Sequence, residues 1–109
     1  QGYVRRKGEV IMNIETGFND NEVVLNISGR LDTTHAPMLE TEFMQVKEAC
    51  ECLVLDFAKL EYISSAGLRV LLKMQKTMAA KGGMKLLHVN ETIMEVFDIN
   101  GFADILTIE

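Results

Sequence analysis

The segment Tyr62-Ile63-Ser64-Ser65-Ala66-Gly67-Leu68 holds the residues best suited to chemistry. It runs from an apolar stretch into a helical pattern, which places Ser64 or Ser65 at a helix N-cap. In plain structural terms such a serine caps the helix, and small neighbours permit a tight turn. In functional terms an exposed hydroxyl there can serve as a covalent switch. A phosphate on it would face the backbone N–H groups of Ala66, Gly67 and Leu68 and the positive end of the helix dipole. Small neighbours would also let another protein's active site approach closely.

Other chemistry finds little support. His35 sits near a helix start, and His88 reads as lying inside an apolar strand beside Leu87 and Val89. Both read as satisfied structural histidines. Cys50 and Cys52 form a C-x-C pair, too close along one strand for a good disulfide and short of ligands for zinc. They read as small buried or half-buried thiols. The patterns G-x-S-x-G, the P-loop and G-x-G-x-x-G are all absent. No enzyme activity, cofactor or metal is expected. The seven Met residues fall mostly at apolar positions and read as core.

The elements that must position the serines can be read from periodicity. Val10 to Glu15 alternates as a first strand, and Asn19-Asp20-Asn21 marks a turn of some length. Glu22 to Ser28 alternates as a second strand, completing a hairpin. Thr33 and Thr34 are candidate N-caps for a helix with Pro37 in its first turn and Leu39, Phe43 and Val46 on its apolar face. In that helix Glu40, Glu42 and Glu48 read as facing water. Leu53 to Phe57 fits a strand covered on both faces. A second helix follows the serines, with Leu68, Leu71, Leu72, Met78 and Ala79 inward, and stops at Lys81-Gly82-Gly83. Met84 to Val89 reads as a strand. Asn90 caps a short helix bearing Ile93, Val96 and Phe97, which ends at Asn100-Gly101. Ile105 to Ile108 forms a last strand or short helix. The fold class is α/β, a mixed sheet with an N-terminal hairpin and helices packed against it.

Composition bounds the partners. The chain has 109 residues, 48% hydrophobic and 25% charged, so one ordinary globular domain is expected. The net charge of −5 argues against nucleic acid, and the one basic cluster, Arg5-Arg6-Lys7, reads as a solvated tail. No apolar run is long enough to cross a membrane, and no signal peptide is evident. Gln1-Gly2 looks like a remnant of tag cleavage. Residues 1–8 are therefore expected as a disordered tail and residues 9–109 as the domain.

Several stretches together resemble the STAS domain family, and within it the small bacterial anti-sigma factor antagonists. They are Gly29-Arg30-Leu31-Asp32, Leu53 to Phe57 with Tyr62 to Leu68, Lys81-Gly82-Gly83, and Val96 to Phe102. The resemblance spans about residues 10 to 108 and implies the STAS-like mixed β-sheet. It implies that Ser65 is the phosphorylated residue, with Ser64 as competitor. Ser64 stands where the family has an Asp, so the acidic neighbour of the target is missing. The implied partner surface is Arg30, Leu31, Asp32, Thr33, Ser64, Ser65, Ala66, Gly67, Leu68, Arg69 and Lys73. The implied partners are a serine-kinase anti-sigma factor and a serine phosphatase, met by a cytoplasmic monomer. The alternative is a STAS interaction module of a transporter or sensory complex without phosphorylation.

Overall fold

The structure is a computed structural model and describes residues 12–109. The tail expected over residues 1–8, and Val10 of the expected first strand, lie outside the described residues. Strand β1 is Asn13–Asn19, β2 Glu22–Leu31, β3 Cys52–Ile63, β4 Met84–Leu87 and β5 Thr107–Ile108. Helix α1 is Ala36–Val46, α2 Ser65–Ala79 and α3 Glu91–Ile99, with a 3-10 turn at Lys47–Ala49.

The strands lie in chain order, β1-β2-β3-β4-β5, with β1 antiparallel to β2 and every later pair parallel. Right-handed crossovers along such a sheet leave the helices on one face. Burial agrees. Val23, Leu25 and Ile27 of β2, Leu53, Leu55 and Phe57 of β3, and Met84 and Leu86 of β4 join Leu39, Phe43, Leu71, Met74, Ile93 and Phe97 from the helices in one core. The opposite face carries Glu15, Asn26, Asp56 and Lys85, all exposed or half-buried.

Several expectations need correction. The hairpin is tight: Asn19 pairs with Glu22, and Asp20 takes a φ of 56°, which Asp tolerates. Thr33 and Thr34 do not cap α1. His35 is the N-cap position, with no side-chain cap bond, and Asp32 fixes the turn before it, its Oδ1 accepting from the His35 N–H at 3.0 Å and its carbonyl from the Ala36 N–H at 2.8 Å. Glu40 and Glu42 are half-buried, bound to Lys73 and Thr16 respectively. In α2, Val70 and Met74 belong to the buried face, while Ala79 is exposed. Four Met residues are core, namely Met12, Met74, Met78 and Met84, whereas Met38 and Met44 are exposed.

Strand β3 is much longer than Leu53–Phe57. Its register against β2 slips between Asn26 and Ser28 and again between Gly29 and Arg30. Each slip adds a residue to β3, a β-bulge, and a bulge resets which side chains point inward. The positions that join the core thus run Leu53, Leu55, Phe57, then Leu60, then Ile63, with Val54 buried on the other face. A spacing of three replaces a spacing of two, which disguises the strand in the sequence.

His88 lies past the end of β4, not inside it. It is exposed, with a φ of 59°, and its Nδ1 sits 3.0 Å from Asp56 Oδ1 on the open face. Burial pushes the Asp56 carboxyl up. The His88 hydrogen bond, the Ala58 N–H at 2.9 Å and the His88 charge outweigh it and hold the carboxyl below its usual range. A depressed pKa stabilises the fold above the ordinary aspartate value of about 3.9 and ceases to do so as pH falls through the lowered value. Asp56→Asn is therefore expected to cost about 1 kcal/mol at pH 7, with the gap narrower at pH 3. Urea unfolding of both proteins at the two pH values checks this, and a gap unchanged at pH 3 refutes it.

Candidate functional site

The β2/β3 pairing brings together two segments that are some thirty residues apart in sequence. Arg30 pairs with Tyr62 and Leu31 with Ile63. Just beyond, the Ser64 N–H donates to the Leu31 carbonyl at 2.9 Å, which fixes the start of α2 against the end of β2.

The two serines take different tasks. Ser64 is the N-cap of α2, with extended backbone. Its Oγ accepts from the Gly67 N–H at 3.3 Å, and its carbonyl accepts from the Leu68 N–H at 2.9 Å. The Gly67 and Leu68 N–H groups, expected to be open to a phosphate, are thus already engaged. Ser65 is the first residue of the helix and is exposed. Its hydroxyl is the one presented outward, and its helix turn carries no acidic residue.

Around Ser65 the surface is partly basic and partly aromatic. The Arg30 guanidinium lies 4.1 Å from the centre of the Tyr62 ring, a cation–π contact, and 4.0 Å from Asp32. Asp32 also accepts from His35 Nδ1 at 2.8 Å, and that histidine is buried. His35 is thus a satisfied structural residue. On α2, Arg69 and Lys73 are exposed, and Lys73 is bound to Glu40 of α1. Thr33, Ala36, Pro37, Ala66 and Val70 line the groove between the two helices, with Arg69 beside them.

Not every residue of the expected surface is presented on it. Leu31 is fully buried, and Gly67 and Leu68 are buried too. They shape the surface from beneath. Gly67 is pressed so close to Leu31 and Ile63 that a side chain there would force its neighbours to shift. Arg30, Asp32, Thr33, Ser64, Ser65, Ala66, Arg69 and Lys73 are exposed or half-buried at one end of the sheet. Sequence reading overlooked two participants, Tyr62 as the platform for Arg30 and Glu40 as the partner of Lys73. The alternating pattern that would have paired Arg30 with Tyr62 is broken by the bulges.

Cys50 is buried and Cys52 half-buried, both as free thiols. Burial, the largest influence, pushes the Cys50 thiol up, which keeps it protonated and unreactive. Among the described residues no group of His, Cys, Asp and Glu is arranged to hold a metal ion. No helix among them is long and apolar enough to cross a membrane.

These features define a class: a small mixed-sheet domain that displays a serine-capped helix at the ends of its parallel strands. The model of the STAS domain matches residues 13–109. The chain belongs to the STAS domain family. It is 31% identical over 98 residues to the anti-sigma-B factor antagonist of Bacillus subtilis, covering 89% of this chain and 90% of that one. It is 31% identical over 103 residues to the anti-sigma F factor antagonist of Paenibacillus polymyxa, covering 89% and 86%. The crystal structure of an anti-sigma factor antagonist from Mycobacterium paratuberculosis shares the fold, with a TM-score of 0.81 at 20% identity over 90% of this chain and 85% of that one.

Proposed function

We propose that this chain is an anti-sigma factor antagonist that acts by partner switching. Unmodified, it binds a serine-kinase anti-sigma factor in the cytoplasm and so frees a sigma factor. The kinase transfers phosphate to Ser65, the complex separates, and a serine phosphatase restores the bare hydroxyl. The chain acts as a monomeric binding protein and substrate, with no contact to nucleic acid or membrane. The observation that carries this reading is the exposed Ser65 hydroxyl beside the Arg30–Tyr62 surface, with Ser64 committed to the helix cap. Both relatives named above are antagonists, which favours this reading over a transporter or sensory module.

A phosphoserine adds about −1.5 to −2 charges. At a docking surface it opposes binding through desolvation and through repulsion from acidic groups of the partner. The test mixes the chain with a serine-kinase anti-sigma factor and follows the complex by size-exclusion chromatography. A complex that forms with ADP and dissolves with ATP, as phosphate appears on the chain, is the expected result. A complex that survives ATP with full phosphate uptake overturns the switch.

A further inference from the structure

We propose that the phosphate on Ser65 is captured within its own helix by Arg69. This rests on the reading of Ser65 as the modified hydroxyl. Ser65 and Arg69 are four residues apart on α2, and both are exposed. That spacing puts side chains on one helical stripe, with Cβ atoms about 5–6 Å apart. The next residue on the stripe, Lys73, is held by Glu40 of α1. Among the described residues Arg69 forms no ion pair. The stripe therefore has one engaged cation and one unengaged cation, and the unengaged one is within reach of Ser65.

The other charges that line the groove and the end of β2 are paired with one another. Glu40 and Lys73 line the same groove as Arg69 and satisfy each other. Asp32, at the end of β2, faces Arg30 and His35. The first turn of α2 holds no acid to compete for the guanidinium. A guanidinium presents paired N–H donors that match phosphate oxygens. In the modification the Ser65 oxygen bonds to the γ-phosphorus of ATP, the bond to ADP breaks, and the hydroxyl proton leaves to solvent through the kinase. The new dianion then draws Arg69 into an intrahelical pair. Phosphorylation thus removes two features from the docking surface, the bare hydroxyl and the unengaged arginine.

The test installs phosphoserine at position 65 of the full chain by genetic code expansion, which makes it independent of any kinase. Phosphorus NMR follows the second ionisation of the phosphate against pH. The expected value for the wild type lies about half a pH unit below that of Arg69→Ala, with Arg69→Lys between them. Far-UV circular dichroism confirms that each variant is folded, and Arg69→Gln replaces the alanine variant if that one is not. Equal values in all variants overturn the proposal, because the helix end alone would then account for the phosphate. A kinase that leaves Ser65 unmodified would refute the proposed function and leave this measurement standing.

Discussion

Gly67→Ala is expected to destabilise the fold by about 2 kcal/mol, although alanine ordinarily strengthens a helix. The helix preference alone would favour the change by about 1 kcal/mol. A Cβ at this position, however, would lie 2.8 Å from Leu31 Cγ, 2.9 Å from Ile63 Cγ1 and 2.9 Å from the Leu31 carbonyl oxygen. Overpacking costs about 1–3 kcal/mol, and the upper end applies because one of the clashing atoms is backbone. That carbonyl also accepts the Ser64 N–H, so the strain reaches the helix cap as well. Urea unfolding with an unchanged slope and a lower midpoint is the expected outcome. A midpoint at or above that of the wild type would show that β2 yields freely.

The second large effect separates the two serines. Ser64→Ala removes the cap bond to the Gly67 N–H and is expected to cost about 1 kcal/mol of stability. It should nevertheless accept phosphate from the kinase, because Ser65 remains exposed. Ser65→Ala is expected to do the reverse. Its stability should stay within about 0.5 kcal/mol of the wild type, as for an ordinary surface change, while phosphate uptake is lost almost entirely. Thermal unfolding and intact-mass spectrometry on the same samples read both quantities. Phosphate on Ser65→Ala at the wild-type level would transfer the site to another hydroxyl. The neutral Ser64 sharpens this comparison, since a cap role suits a serine as well as an aspartate.

Much of the fold was legible in residue patterns. Leu39, Phe43 and Val46 lie on the buried face of α1 as their spacing predicts, and Asn90 caps α3 through its Oδ1. Gly83 takes a φ of 95° after α2, and its N–H bonds the Met78 carbonyl, as the Lys81-Gly82-Gly83 stop predicts. What escaped was non-local. The second half of β3 was hidden because its bulges break the two-residue alternation on which strand recognition depends. His88 reads as part of a strand because its neighbours are apolar, and nothing in its own chemistry announces a positive φ. At the site, the serine turn and the Arg30 segment were both visible as motifs. The cation–π contact with Tyr62 and the Lys73–Glu40 bridge were not, since each joins residues from separate elements whose facing sides only the packing sets.

The strand order carries a consequence for assembly. Each strand pairs with the one that precedes it in the chain. No strand has to be inserted between two that precede it in the chain. Each parallel crossover closes a loop of about twenty residues, and closure costs rise only slowly with length. The sheet can therefore grow at one edge as the chain emerges from the ribosome. The β2/β3 pair, which sets Arg30 against Tyr62 and anchors Ser64, is built from strands that precede β4, α3 and β5 in the chain. On that schedule the strands beneath Ser65 are made before the segment from Met84 onward, which then closes over β3 through the β4 edge and the Asn90 bond to the Leu60 carbonyl.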